Sequence, residues 1–178
     1  MVKTEIVNVV ATASVCQDLD FDKLRKHKGI FYDSEVYGGR VAYFKTEKMN
    51  GKVSIFASGK MISAGTKSEA QAFKELKLTM SFLIEKKLAK KVEIQPKIQN
   101  LVVTADFEAT LNLEELSENL KAIYEPEQFP GAILRLEKPF KTSILIFASG
   151  KVVITGLKSS RQIEPTILLL KQLIESNQ

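Results

Sequence analysis

The sequence predicts an α+β protein made of two copies of one unit, and three observations predict it. The hexapeptide Ile55-Phe56-Ala57-Ser58-Gly59-Lys60 recurs letter for letter as Ile146-Phe147-Ala148-Ser149-Gly150-Lys151. Each time an apolar run precedes the small-residue turn and another follows it, Met61-Ile62-Ser63-Ala64 or Val152-Val153-Ile154-Thr155, which reads as strand, tight turn, strand. Sliding the chain by 92 residues also pairs Asn8-Val9-Val10 with Asn100-Leu101-Val102, and Tyr32-Asp33-Ser34-Glu35-Val36-Tyr37 with Tyr124-Glu125-Pro126-Glu127-Gln128-Phe129. Two copies, 1–91 and 92–178, are too few and too long for a solenoid, so a duplicated unit with pseudo-twofold symmetry is expected. The hairpins align at 91 rather than 92, which puts one extra residue in the first copy's connection from Lys45 to Lys52.

Within the first copy, residues 5–14 form a β-rich run, and Leu19-Asp20-Phe21-Asp22-Lys23-Leu24 opens a short helix with Asp20 as its N-cap. Residues 41–45 and 52–57 make a hairpin around Met49-Asn50-Gly51, where Asn-Gly is the strongest local turn signal. A last strand runs over 61–65. Ser68-Glu69-Ala70-Gln71 is a capping box that starts a long helix with Ala72, Phe73, Leu76, Met80, Leu83 and Ile84 on one face. The second copy repeats the order: a strand over 98–105, a short helix from Asn112, three strands between Gly131 and Gly156, and a helix carrying Ile163, Ile167, Leu170 and Ile174. Pro165 either delays that helix, leaving Glu164 outside, or bends its first turns. The join at Lys90-Lys91-Val92-Glu93-Ile94-Gln95-Pro96 is short, which suggests one continuous sheet.

A half-buried antiparallel strand alternates apolar with polar residues, and these strands do not. In Leu145-Ile146-Phe147 one face takes Ile146 and the other Leu145 and Phe147; in Val152-Val153-Ile154-Thr155 the second face takes Val153 and Thr155. Two long and two short helices suffice to cover one side of such a sheet, and nothing in the chain remains to cover the other. That second face carries Val10, Ile62, Val102, Leu145, Val153 and Phe side chains, relieved by Asn8, Asn100, Thr12, Thr104 and Thr155. Lys60, Lys67, Arg135, Lys151 and Lys158 stand around its margin. An open, largely apolar sheet face is a liability unless something binds there. An apolar floor with amides and hydroxyls inside a cationic rim suits a DNA minor groove, whose A·T pairs offer only the acceptors A N3 and T O2. The alternative is the core of a sandwich or a dimer, with the same residues simply buried.

The formal charge of +5 permits a polyanionic partner without requiring one. The single cysteine, Cys16, excludes an internal disulfide and fits a reducing compartment. The start lacks the plan of a signal peptide and no run is long enough to cross a bilayer, so no membrane partner is expected. One Cys and one His cannot make a zinc site, and His27 reads as a solvated group among lysines. Phosphate-binding glycine motifs and a nucleophile elbow are missing, and the carboxylate pairs Glu114-Glu115 and Glu125/Glu127 lie where solvation is their default. Lys86-Lys87 and Lys90-Lys91 read as a soluble helix end. No enzyme and no cofactor are expected.

The duplicated unit, the paired strand Asn residues, Tyr124-Glu125-Pro126-Glu127-Gln128-Phe129-Pro130-Gly131, both Ile-Phe-Ala-Ser-Gly-Lys hairpins and Val153-Ile154-Thr155-Gly156-Leu157-Lys158-Ser159 together resemble the TATA-box-binding protein family over nearly the whole chain. The resemblance implies a saddle: one curved ten-stranded antiparallel sheet, concave side on DNA, four helices on the convex side. It implies that Phe129 and Phe147 wedge between base pairs, with Tyr37 and Phe56 in the corresponding places of the first copy. It also implies that Asn8, Asn100 and Thr155 hydrogen-bond base edges over a floor of Val10, Ile62, Val102, Leu145 and Val153. Lys60, Lys67, Arg135, Lys151 and Lys158 would meet phosphates. Glu125, Glu127 and Gln128 match the stirrup that docks a B-type transcription initiation factor, and through it an RNA polymerase pre-initiation complex. The protein would act as a monomer on double-stranded TATA-box DNA, in the cytoplasm at an archaeal nucleoid, or in a nucleus if the source is eukaryotic.

The first copy departs from the family pattern. Tyr37 stands where Phe is usual, Ala64 replaces the partner of Thr155, Ser54 replaces an apolar floor residue, Tyr43 stands where a partner of Arg135 is expected, and Gly38-Gly39 loosens the stirrup. The resemblance therefore leaves two expectations: a general initiation factor that bends AT-rich DNA, or a divergent paralogue that binds initiation factors with weak or no TATA binding.

Overall fold

A computed structural model describes residues 2–177. In chain order its elements are β1 (Lys3–Ser14), α1 (Phe21–Leu24), β2 (Ile30–Tyr32), β3 (Val41–Phe44), β4 (Lys52–Phe56), β5 (Lys60–Thr66), α2 (Glu69–Glu85), β6 (Lys97–Asp106), α3 (Leu113–Leu120), β7 (Gly131–Leu136), β8 (Thr142–Phe147), β9 (Lys151–Leu157) and α4 (Ile163–Glu175). Two compact units result: a first unit, Asn8–Gln99, and a second, residues 100–177 together with the start of β1 up to Val7.

In the first unit the hydrogen-bonded strand order is β2-β3-β4-β5-β1, antiparallel throughout. One side of these strands is fully buried: Val9, Ala11, Val53, Ile55 and Met61 have no more than traces of exposed surface. On β4 and β5 this side lies against α2, which buries Ala72, Leu76, Met80 and Leu83. Each fully buried aliphatic side chain contributes on the order of 1.5–3 kcal/mol, so this layer, not helix propensity, holds α2 in place. The second unit repeats the arrangement with order β6-β9-β8-β7. Its buried side carries Leu101, Val103, Ile144, Ile146, Val152 and Ile154, and its helices bury Leu113 and Leu116 from α3 and Ile167, Leu170 and Ile174 from α4.

The helix starts follow their local chemistry. The Asp20 carboxylate accepts from the Lys23 amide at 3.2 Å and Asn112 Oδ1 from the Glu115 amide at 3.4 Å. Ser68 Oγ accepts from the Gln71 amide at 3.2 Å, while Gln71 Oε1 takes the amide of Lys67, one residue earlier than the usual capping box. Pro165 neither delays nor breaks α4. It sits in the first turn, where its missing N–H would have had no helical partner, so Glu164 is inside the helix.

Three expectations are revised. Nine strands form among the described residues rather than ten: where the first unit has β2 pairing β3, the second keeps a single bridge, Ile123 to Ile133. Asn50 and Gly51 do not form a left-handed two-residue turn, since neither has positive φ. Their loop is tied down instead, with the Gly51 amide donating to the buried Glu75 carboxylate at 2.9 Å and Lys45 Nζ donating to the carbonyls of Asn50 and Gly51 at 2.7 and 2.6 Å. The third concerns the copies' lengths. Val41 faces Phe56 as Gly131 faces Phe147, and Lys52 faces Ala64 as Ser143 faces Thr155. Gly38, Gly39 and Arg40 therefore occupy the place of Pro130 alone, and the later connection is shorter in the first copy, not longer.

Candidate nucleic-acid interface

Residues directly opposite in an antiparallel ladder share a face, so the registers place the site side chains. In the first unit one cross-strand row reads Thr12, Ile62, Ser54, Tyr43, Phe31. In the second the corresponding row reads Thr104, Val153, Leu145, Ile133, Ile123. A neighbouring row there runs Val102, Thr155, Ser143, Arg135. Val10, Ile62, Val102, Leu145, Val153 and Thr155 are half-buried, while the residues alternating with them are buried against the helices. Among the described residues no helix seals these side chains in.

Asn8 and Asn100 are held identically. Asn8 Oδ1 accepts from the Gly65 amide at 2.8 Å, and Asn100 Oδ1 from the Gly156 amide at 2.7 Å. Each glycine sits where the ladder register shifts, with φ of +91° and +102°, a backbone region that excludes most side chains. The acceptor end of each amide is thereby engaged, which orients the amide and leaves its NH2 as the end available to a ligand. Thr155 Oγ1 donates to the Ser143 carbonyl at 3.2 Å, so its oxygen remains able to accept.

The aromatic pairs differ between units. Phe129 and Phe147 meet edge to face, centroids 5.8 Å apart. They do so over Gly131, where an added Cβ would lie 2.9 Å from Phe129 Cε1 and 3.2 Å from Phe147 Cε1. In the first unit Val41 holds that place opposite Phe56, and among the described residues no ring contact joins Phe56 to Tyr37. Tyr37 is 73% exposed, in a run of three left-handed residues, Tyr37, Gly38 and Gly39, with φ of 51°, 60° and 68°. The repeat pattern does not reveal this, although Val41 against Gly131 is a readable signal.

Lys60, Lys67, Arg135, Lys151 and Lys158 are all exposed. The first-copy counterpart of Arg135 is Lys45, one place beyond the Phe44–Val53 pair as Arg135 is one beyond Leu134–Ile144, and not Tyr43. Tyr43 corresponds to Ile133, and Lys52 Nζ lies 4.3 Å over its ring. Glu125, Glu127 and Gln128 form an exposed turn closed by the Gln128 and Phe129 amides donating to the Glu125 carbonyl, both at 2.9 Å.

Two further groups enter the site unannounced. A hollow of about 590 Å³ in the second unit is lined by Lys3, Glu5, Thr104, Asp106, Phe147 and Lys151, among others. Its counterpart in the first unit, about 350 Å³, is lined by Gln95, Lys97, Thr12, Ser14 and Lys60 among others. Carboxylates in one copy thus stand where a lysine and a serine stand in the other. The 92-residue offset, applied to Glu5 and Lys97, would have found them.

The chain matches the family model for transcription factor TFIID, or TATA-binding protein, over residues 3–85 and 95–175. It is 38% identical over 159 residues to a TATA-box-binding protein of Cenarchaeum symbiosum, covering 88% of this chain and 86% of that one. It is 34% identical over 180 residues to that of Picrophilus torridus, covering 97% and 94%. Among solved structures, Methanococcus jannaschii TBP superposes with a TM-score of 0.84 at 32% identity, over 98% of this chain and 99% of that one. Fold and sequence agree, and the chain belongs to the TATA-binding protein family of archaeal transcription initiation factors.

Proposed function

We propose that this protein binds double-stranded AT-rich promoter DNA through the minor groove, bends it, and recruits a B-type initiation factor and RNA polymerase, acting as a monomer on the DNA at the cytoplasmic nucleoid. The observation that carries this reading is the matched clamp on Asn8 and Asn100. With both Oδ1 atoms engaged by backbone amides, two NH2 groups present donors from an apolar face. A minor groove of A·T pairs offers acceptors only, and the exposed lysines and Arg135 supply phosphate partners. The names of its relatives, TATA-box-binding proteins, support the same ligand.

In this reading Phe129 and Phe147, already in contact, are the working wedge. Unstacking one base step costs on the order of a few kcal/mol, a general magnitude for minor-groove wedge proteins, of which the TATA-binding protein is itself the standard example. The exposed turn of Glu125, Glu127 and Gln128 beside Phe129 is the B-type factor's dock. The test is a fluorescence bending assay on a TATA duplex, with and without that factor. Bending is expected in both conditions and to be greater with the factor.

A second reading, a paralogue that works mainly by binding other factors, draws support from Tyr37. Its left-handed backbone and the residues inserted after it make it an exposed tip rather than half of a ring pair. Absence of bending in both conditions, with the factor still bound, would select this reading.

A further inference from the structure

We propose that the first repeat's half of this face accepts a G·C base pair where the second repeat's half accepts only A·T; this rests on the DNA-binding reading above. Two equivalent pairs of positions carry it. Leu145 and Thr155 in the second unit are Ser54 and Ala64 in the first, an equivalence set by register: Ser54 lies between Ile62 and Tyr43 as Leu145 lies between Val153 and Ile133. Guanine differs from adenine in the minor groove by its N2 amine, a donor that projects from the groove floor.

Against Leu145 that amine would lose water and find no acceptor, which is the costly case for a buried polar group. Against Ser54 it meets a hydroxyl that, among the described residues, has no hydrogen-bond partner within the chain. The side chain is also smaller, and so is Ala64 beside it, which leaves room for the amine. The Asn positions do not relax in the same way. Asn8 and Asn100 both present donors, so a guanine amine facing either would be donor against donor. The tolerance is therefore confined to the stretch read by Ser54 and Ala64, and it gives a near-symmetric protein a preferred direction on its site.

The test uses the full chain and four duplexes: all A·T, one G·C pair in the left half-site, one in the right, and one in each. A duplicated protein can turn around, so either single G·C pair is expected to change affinity less than about threefold. The doubly substituted duplex must place one G·C pair against Leu145 and is expected to bind roughly tenfold more weakly or worse. A dye on Cys16, the lone and exposed cysteine, reports by energy transfer to a labelled DNA end which way the protein lies, and the first repeat is expected over the G·C half. Ser54→Leu should make a single G·C pair as costly as two, and Leu145→Ser should remove the penalty of the second. If single and double substitutions weaken binding in strict proportion, with no preferred direction, this inference is wrong while DNA binding stands. If even the all-A·T duplex is not bound, the DNA-binding reading falls with it.

Discussion

Asn8 and Asn100 hold their glycine amides at 2.8 and 2.7 Å, whereas Ser54 and Leu145, at equally matched positions, share neither size nor polarity. The two units have kept the parts that set backbone geometry and diverged in the parts that point away from it. Clamp, hairpin turn and capping serine (Ser68 Oγ accepting from the Gln71 amide, Ser159 Oγ from the Arg161 amide at 3.3 Å) recur because each satisfies backbone groups that would otherwise be left unpaired. Side chains on the open face carry no such obligation, so Ser54, Ala64, Tyr43 and Tyr37 have been free to change. The same holds for charge: Lys97 in one copy answers Glu5 in the other. The second unit has the assembled wedge and apolar floor, the first the more cationic margin and the more polar floor.

The sharpest way to break this comparison is to remove the rings. Phe129→Ala and Phe147→Ala should each weaken binding to a TATA duplex by about 1–3 kcal/mol, the usual worth of an aromatic ring against a base, and should reduce the bend. Tyr37→Ala should do clearly less, because Tyr37 stands apart from Phe56 while Phe129 and Phe147 meet at 5.8 Å. Equal losses from Tyr37 and Phe129 would mean that the units work alike despite their geometry. Installing the missing space with Val41→Gly tests the cause, and should bring the effect of Tyr37→Ala closer to that of Phe129→Ala.

A second difference lies on the buried side. Glu75 is 4% exposed, accepts from the Gly51 amide at 2.9 Å and lies 3.5 Å from Ser63 Oγ; the matching residues in the second copy are Thr166 and Ile154. Glu75→Ala would leave the Gly51 amide buried without an acceptor and should destabilise the protein by about 1–3 kcal/mol in urea unfolding. Thr166→Ala removes only a hydroxyl that donates within its own helix to Gln162, and should cost less. Hydrogen exchange at Gly51 localises the effect: it should quicken in Glu75→Ala and stay unchanged in Thr166→Ala. An unaltered Gly51 amide would show that the loop is held by Lys45 alone.

Much of the fold is legible in the order of the residues. The two-residue period of a strand puts Leu145 and Phe147 on one face and Ile146 on the other, and Asp20, Ser68 and Asn112 announce their helices, because these signals are local. What is not legible depends on pairing across distance. The offset of 92 before the stirrup and 91 after it is the net of two extra residues at Gly38–Arg40 and one fewer later, a cancellation that only the ladder registers separate. Unseparated, it moves Arg135's counterpart from Lys45 to Tyr43. Asn50-Gly51 is likewise a true loop signal with the wrong mechanism, since the carboxylate that holds Gly51 comes from a helix 24 residues away.

The smallest expected difference is also the most selective by pH. The short helices α1 and α3 start alike, but α1 is capped by a carboxylate and α3 by an amide. Hydrogen bonds from the Lys23 amide and then the Lys23 side chain hold Asp20 below its ordinary value of 3.8. A carboxyl depressed in the folded state contributes stability that is present above the unfolded value and is lost as pH falls through the folded one. The Asp20 cap should therefore hold at neutral pH and weaken only below about pH 4, whereas the Asn112 cap has no proton to take up. NMR of the Lys23 and Glu115 amides through an acid titration separates them: Lys23 should shift with the titration of Asp20, and Glu115 should show no such inflection from its cap. In Asp20→Asn the Lys23 response should vanish while α1 persists. If the Lys23 inflection survives in that variant, the titrating group is not the cap, and the two helix starts are more alike than their sequences.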